Sequence, residues 1–189
     1  MKVGLYFGSF NPVHIGHLII ANHIQQYSDL DQVWFVVSPQ NPFKEKSTLA
    51  NDHERLHMIN LAIEDYPNLR ASNVEFSLPK PSYTIDTLVV LKEKFPNYDF
   101  SLIMGMDNLK NFHKWKNHEQ ILKQCSVLVY PRPGFDAGRW ENHEKFSFID
   151  APLMEISATF IRNALKEGKY IRPMLPEKVW EYLEGSSLY

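Results

Sequence analysis

Short apolar runs alternate with amphipathic segments along this 189-residue chain. The runs are rich in β-branched and aromatic residues and predict strands at 3–7, 33–37, 70–76, 100–104, 127–130 and 146–149. The segments between them predict helices at 16–27, from an N-cap at Asp52 onward, and at 84–95, 119–123, 157–166 and 176–183. On the second of these helices we place Leu56, Ile59, Leu61, Ala62 and Ile63 on the buried side. Apolar strands separated by helices indicate a parallel sheet covered on both faces. We therefore expect one doubly wound α/β domain over residues 1–189, with a mostly parallel sheet.

Composition and charge narrow the function classes. The chain has 20 Lys and Arg against 22 Asp and Glu, a formal charge of −2, which argues against a dedicated nucleic-acid binder. One cysteine excludes an intramolecular disulfide, and its place in an apolar run predicts a buried thiol at Cys125. No apolar stretch approaches the ~20 residues of a membrane span, and no signal peptide is evident. We expect a cytoplasmic protein with no membrane or nucleic-acid partner; a homo-oligomer is compatible with the sequence.

The loops that follow the strands are where a doubly wound sheet binds ligands. The first of them, GSFNPVHIGH at 8–17, matches neither a dinucleotide fingerprint nor a Walker motif. Its Gly8 and Ser9 let backbone amides approach an anion, and the helix that follows directs its positive end at the same place. His14 and His17 are three residues apart and can both donate to phosphate oxygens, while Gly16 leaves room for a ligand. The whole string favours a phosphate site over a turn with two capping histidines.

A second motif, ISATFIR at 156–162, opens a late helix. Ser157 is a plausible N-cap, and Thr159 and Arg162 share one face, where the guanidinium could bind phosphate. An ordinary capped helix with a solvated arginine is as compatible with the spacing. Together, two helix N-termini with side-chain donors favour a triphosphate site.

Other segments leave their alternatives open. Lys44, in the loop 39–46, could bind phosphate, but a solvent-exposed loop is the simpler interpretation. Asp107, after Gly105, could accept from ribose hydroxyls or cap a helix, and Trp115 could lie in the core or stack on a planar ring. The segment 53–57, HERLH, matches the zinc-protease pattern His-Glu-x-x-His, but a solvated face is favoured because no third ligand follows.

The two histidine and arginine motifs resemble the (H/T)xGH and ISxTxxR signatures of the nucleotidylyltransferase superfamily. A fuller set of segments, in order, resembles the bacterial nicotinate mononucleotide adenylyltransferases: the 8–17 motif, Asn41, Pro42 and Lys44, Arg55, SYTIDTL at 82–88, GMDN at 105–108, Trp115, RPG at 132–134, EISATFIR at 155–162, and Gly168 to Arg172.

This resemblance implies a Rossmann-like nucleotidyltransferase fold and a reaction in NAD biosynthesis. ATP and nicotinate mononucleotide would give deamido-NAD and pyrophosphate, with Mg²⁺ accompanying ATP and no dedicated protein metal site. By the same resemblance, His14, His17 and Arg162 are the catalytic residues, and ATP is bound by Gly8, Ser9, Phe10, Gly105, Asp107, Ser157 and Thr159. The mononucleotide would be bound by Asn41, Lys44, Thr84, Trp115 and Lys116, with Trp115 stacked on the pyridine ring.

The sequence is compatible with three alternative functions. Another adenylyl- or cytidylyltransferase, such as phosphopantetheine adenylyltransferase, shares the main motifs but not the Tyr83-Thr84 segment. A class I aminoacyl-tRNA synthetase would need a Lys-x-Ser-Lys loop and a longer chain. A nucleotide-sensing regulatory protein could use the same scaffold without catalysis.

Overall fold

The computed structural model describes residues 1–39 and 49–189. Within them, six strands form one sheet: β1 (Lys2–Gly8), β2 (Gln32–Val37), β3 (Leu69–Ser72), β4 (Asp99–Gly105), β5 (Ser126–Tyr130) and β6 (Phe146–Phe148). Seven α-helices accompany them: α1 (Ile15–Tyr27), α2 (Asp52–Ile63), α3 (Thr84–Lys94), α4 (Met106–Leu109), α5 (His118–Gln124), α6 (Ala158–Lys166) and α7 (Glu177–Glu184). Short 3₁₀ helices lie at Val74–Ser77, Phe112–Lys114, Gly138–Trp140 and Arg172–Met174.

The strand order is β3-β2-β1-β4-β5-β6, and every pairing is parallel. This confirms the doubly wound α/β fold, with a fully parallel sheet. The order reverses between β1 and β4, where Leu5 is in register with Leu102. In open parallel sheets, the crevice beyond the carboxyl ends of the strands at this reversal is the usual ligand site.

Successive residues of each strand pack into two separate hydrophobic cores, one on each face of the sheet. Tyr6, Phe35 and Ile103 pack toward α1, α2, α6 and α7. Leu5 and Leu102 pack toward α3, α4 and α5. The period-two alternation of a strand therefore explains why the apolar runs are continuous: both faces are covered. Cys125 is buried in the second core, as expected.

Two boundaries on the β2 side of the sheet differ from expectation. The predicted strand at 70–76 ends at Ser72, its last residue paired with β2, and the chain then turns into the 3₁₀ helix Val74–Ser77. This turn directs the Glu75 carboxylate inward, where it meets two hydroxyls. The predicted N-cap at Asp52 is also wrong: the N-cap of α2 is Asn51, whose side chain accepts from the His53 amide.

The buried face of α2 was only partly predicted. Its buried stripe comprises Arg55, Met58, Ile59, Ala62 and Ile63, while Leu56 and Leu61 are only partly buried at its margin. A charged residue thus occupies a position that the apolar pattern could not assign to the interior. Arg55 is there because backbone carbonyls surround its guanidinium, as described below.

None of the helices in the described parts of the chain combines the length and the apolar character needed to cross a bilayer.

Candidate active site

A cavity of about 1000 Å³ lies beyond the carboxyl ends of β1, β4 and β5. Thirteen residues singled out from the sequence line it: Gly8, Ser9, Phe10, His14, His17, Thr84, Gly105, Asp107, Trp115, Lys116, Ser157, Thr159 and Arg162. The other two, Asn41 and Lys44, lie outside the described residues. The strand order thus brings together segments as far apart in sequence as Asn11 and Arg162, which are 151 positions apart.

The two motif histidines stack on each other at the start of α1. Their ring centroids are 3.7 Å apart, and the ring planes differ by 26°. The backbone amide of His14, the N-cap residue, donates to Nδ1 of His17 at 3.2 Å. Because Nδ1 is an acceptor, a neutral His17 carries its proton on Nε2, which is then a hydrogen-bond donor. The helix start therefore fixes the tautomer that a phosphate oxygen would need.

His14 is almost fully buried at this helix start. Burial, with a smaller contribution from the positive charge of Arg132, lowers the pKa of His14 from 6.5 to about 4. The ring is therefore neutral near pH 7. Its Nδ1 is buried and has no hydrogen-bond partner among the described residues.

Gly16 and Phe10 shape the same loop in ways that the sequence did not indicate. A Cβ added at Gly16 would lie 3.1 Å from the His14 ring, so the lack of a side chain at Gly16 makes room for this ring. The Phe10 ring is buried and packs edge-on against His17, with centroids 5.0 Å apart. Phe10 also has a φ of 46°, in the left-handed region that side-chain-bearing residues rarely adopt. Its contribution to a ligand would therefore come from the backbone.

Arg162 links α6 to the first loop. Ser157 is the N-cap of α6, and its hydroxyl accepts from the Phe160 amide at 3.2 Å. Arg162 donates to the backbone carbonyl of Asn11 at 2.8 Å and to the Thr159 hydroxyl at 3.3 Å. The start of α6 and the start of α1 thus both border the cavity, and Arg162 bridges them.

The end of β4 presents a second set of polar groups. Gly105 is the N-cap of the short helix α4, and Asp107 lies in its first turn. Arg132 donates to the Met154 carbonyl at 3.1 Å and to the Tyr130 hydroxyl at 3.3 Å. Its Nε forms an ion pair with Oδ1 of Asp107 at 3.7 Å, beyond hydrogen-bond distance, and neither atom has a hydrogen-bond partner among the described residues. The sequence left the use of Arg132 open.

Residues from the start of α3 and from the segment after α4 form an aromatic part of the cavity lining. Trp115 is partly buried and packs on Phe112, with ring centroids 5.3 Å apart. Lys116 pairs with Asp86 at 2.9 Å and lies over the Tyr83 ring at 4.5 Å. Thr84 is the first residue of α3 and also lines the cavity. A flat ring with a negative substituent would find an aromatic face, a lysine and a helix N-terminus here.

Two buried ionisable residues were not given a role by sequence reasoning. Glu75 lines the cavity and accepts from the hydroxyls of Ser82 at 2.6 Å and Thr87 at 2.8 Å. Burial raises the pKa of this carboxyl, and the hydroxyl donors partly oppose that effect. The only sequence signal was the strand-like run that contains Glu75, and that run pointed to the wrong element.

Arg55 is fully buried behind the loop. It donates to the carbonyls of Ser9 at 2.6 Å, Ser38 at 2.9 Å and Ala50 at 3.0 Å. These bonds tie the ends of β1 and β2 to α2. No periodicity could reveal this, because the acceptors are backbone atoms.

The zinc-protease-like segment lies on α2, and its side chains contact neighbouring rings. His53 packs edge-on against Phe76, and His57 against Tyr182. The Glu54 carboxylate accepts from the Tyr182 hydroxyl. Among the described residues, no group of three or more His, Cys, Asp or Glu side chains could hold a metal ion.

Comparison with known proteins places the chain in a family. Residues 5–164 match the cytidylyltransferase-like family model. The chain is 58% identical over 191 aligned positions to a "probable nicotinate-nucleotide adenylyltransferase" of Flavobacterium psychrophilum, with 100% of this chain and 99% of that protein covered. A protein of the same description from Flavobacterium johnsoniae is 57% identical with the same coverage.

A solved structure agrees on the fold. The Plasmodium falciparum nicotinic acid mononucleotide adenylyltransferase in complex with NaAD superposes with a TM-score of 0.82 at 21% identity, covering 99% of this chain and 97% of that one. At that identity the likeness carries the fold alone, whereas the bacterial relatives carry the family. The chain therefore belongs to the cytidylyltransferase-like family and, within it, to the nicotinate-nucleotide adenylyltransferases.

Proposed function

We propose that this protein transfers the adenylyl group of ATP to the phosphate of nicotinate mononucleotide, giving deamido-NAD and pyrophosphate. The observation that carries the proposal is the convergence of two helix starts, a stacked histidine pair and an arginine on one cavity at the reversal point of the sheet. The aromatic part of that cavity lining suits a pyridine ring. The bacterial relatives bear the name of this activity.

The reaction requires little acid–base catalysis from the protein. A phosphate oxygen of the mononucleotide attacks the α-phosphorus of ATP, and the bond from that phosphorus to the β-bridging oxygen breaks. Pyrophosphate leaves with the electron pair. A phosphate monoester has a second pKa of about 6, so the nucleophile is already ionised near neutral pH. Catalysis then rests on alignment and on stabilising charge at the α- and β-phosphates.

His17, His14 and Arg162 would divide that task. His17 would donate from Nε2, because its Nδ1 accepts from the His14 amide. His14, whose pKa is about 4, would act as a neutral donor rather than as a cation. Arg162 would supply the positive charge, with Ser157 and Thr159 at the same helix start holding the outer phosphates.

The remaining residues would bind the two ends of the substrates. Gly8, Ser9 and the Phe10 backbone would border ATP along the first loop, and Gly105 and Asp107 would contact its adenosine. Trp115 would stack on the pyridine ring. The amides near Thr84 and Lys116 would receive its carboxylate. Asn41 and Lys44 remain candidates for the mononucleotide on sequence grounds.

Mg²⁺ would enter with ATP. The described residues offer no cluster of three carboxylates or imidazoles for a divalent ion. Mg²⁺ readily keeps several waters and binds through substrate phosphates. We therefore propose that phosphates and water supply its ligands, with the ion neutralising phosphate charge.

The decisive experiment is an acceptor comparison. The protein is incubated with ATP and Mg²⁺, and pyrophosphate release is measured with nicotinate mononucleotide, nicotinamide mononucleotide and phosphopantetheine in parallel. We expect release with nicotinate mononucleotide above the other two. If no acceptor gives pyrophosphate release but ATP binds tightly, a nucleotide-sensing function is favoured. If only phosphopantetheine gives release, the protein is a phosphopantetheine adenylyltransferase.

Two further predictions concern the protein in the cell. We predict a cytoplasmic location without membrane or nucleic-acid partners, which cell fractionation tests. A homo-oligomer is compatible with the sequence, and light scattering on the purified protein measures the state directly.

A further inference from the structure

Tyr189 reaches into the first loop from the far end of the chain. Its hydroxyl donates to Oδ1 of Asn11 at 2.7 Å, and the same oxygen accepts from the backbone amide of Ala50 at 3.1 Å. Burial raises the pKa of the Tyr189 phenol far above its usual value, against the positive charges of Arg162 and Arg55. The hydroxyl therefore stays protonated and remains a donor at every working pH.

Asn11 connects this tyrosine to the arginine at the start of α6. Its backbone carbonyl accepts from Nη1 of Arg162 at 2.8 Å. The other described bond of that guanidinium, to the Thr159 hydroxyl, is longer at 3.3 Å. Of the two oxygens that orient the Arg162 guanidinium, the Asn11 carbonyl is thus the closer. The side chain of Asn11 is in turn held by the Tyr189 hydroxyl.

We propose that Tyr189 is a positioning residue for adenylyl transfer: by holding Asn11, it sets the orientation of the Arg162 guanidinium toward the triphosphate. The inference rests on the proposed function, because it assumes that Arg162 stabilises phosphate charge. A role for the Tyr189 hydroxyl in stability alone does not explain why it binds an Asn11 oxygen that already has a donor. Ala50 already satisfies the Asn11 oxygen, so the tyrosine hydroxyl is not needed to avoid an unpaired buried acceptor.

Tyr189→Phe removes the hydroxyl and leaves the ring. Since Asn11 keeps its bond from Ala50, we expect the variant to fold with a melting temperature close to that of the parent protein. We expect kcat to fall about fivefold, the size of one net hydrogen bond expressed at the transition state, with KM for nicotinate mononucleotide unchanged within about twofold. Tyr182→Phe is the matched control. It removes a hydroxyl that donates to Glu54, and Tyr182 does not line the cavity.

A double-variant cycle with Arg162→Lys separates positioning from stability. If Tyr189 acts through Arg162, adding Tyr189→Phe to Arg162→Lys changes kcat by less than about twofold. A kcat for Tyr189→Phe within about twofold of the parent, or losses that multiply in the double variant, would overturn the inference. An inactive parent protein would instead refute the proposed function, so the two failures are distinguishable.

Discussion

Acidification should cost this protein stability through His14. Burial lowers the pKa of that imidazole to about 4, while the unfolded chain binds the proton near 6.5. Below pH 6.5 the unfolded state therefore binds more protons than the folded state, and the free energy of unfolding falls as the pH falls. The loss is complete only below about pH 4.

The size of this effect follows from the two pKa values. The difference between the two pKa values is worth about 3 kcal/mol at acid pH. Between pH 7.5 and pH 5.5, linkage gives a loss of about 1 kcal/mol. His14 is 4% exposed, so solvent screening should not reduce this value much. That loss would be a visible part of a domain stability of about 5–15 kcal/mol.

Urea unfolding at the two pH values measures it. His14→Asn is the matched variant, because asparagine is a good helix N-cap and does not titrate. We expect the parent protein to lose about 1 kcal/mol more than the variant between pH 7.5 and pH 5.5. Equal losses would refute the reasoning, as would an NMR titration midpoint above pH 6 for His14 in the free protein. Pyrophosphate should raise that midpoint, since a nearby anion favours the charged imidazole.

Three substitutions test other parts of the site. His17→Ala should lower kcat about a hundredfold, because it removes a donor to the developing charge; His23→Ala on the same helix is the control, and a loss within about threefold would contradict the role. Arg55→Met should lower the free energy of unfolding by about 3 kcal/mol in urea melts, because it leaves buried carbonyls unpaired; a loss below about 1 kcal/mol would show that water replaces the guanidinium. Gly105→Ala should raise KM for ATP about tenfold in initial-rate assays, since its Cβ would lie 2.4 Å from Oδ1 of Asp107; an unchanged KM would remove Asp107 from the adenosine site.

The strands were predictable because the sheet is buried on both faces. Runs such as 33–37 and 127–130 are continuously apolar, and continuous burial leaves a signal that is independent of the partners. The strand predicted at 70–76 extends too far for a physical reason. That segment is only half strand, and its second half turns so that Glu75 meets Ser82 and Thr87, contacts that no local pattern encodes. Similarly, the burial of Arg55 among the apolar residues of α2 could not be predicted, because its hydrogen-bond partners are carbonyls on other loops.

The candidate site was predictable where chemistry and spacing coincide in one short segment. The stacking of His14 on His17 follows from their separation of three residues at a helix start, and the topology then brings Arg162 to the same cavity. Contacts between distant single residues left no such signal. The bond from Tyr189 to Asn11 joins positions 178 apart, and neither residue type alone marks a site.

Arg162 at the cavity and Arg55 behind the first loop help to explain how a chain of formal charge −2 can attract anionic substrates. Among the described residues, the hydrogen bonds of Arg55 and Arg162 all go to neutral oxygens: backbone carbonyls and the Thr159 hydroxyl. Neutral acceptors fix a guanidinium in place without cancelling its charge, whereas a carboxylate would do both. Several surface lysines away from the cavity, in contrast, pair with carboxylates, as Lys178 does with Glu64. Arg162 therefore keeps its positive charge available where phosphates would bind, although Arg132 at the same cavity lies 3.7 Å from Asp107. The net charge of the chain thus says little about the ligand it binds.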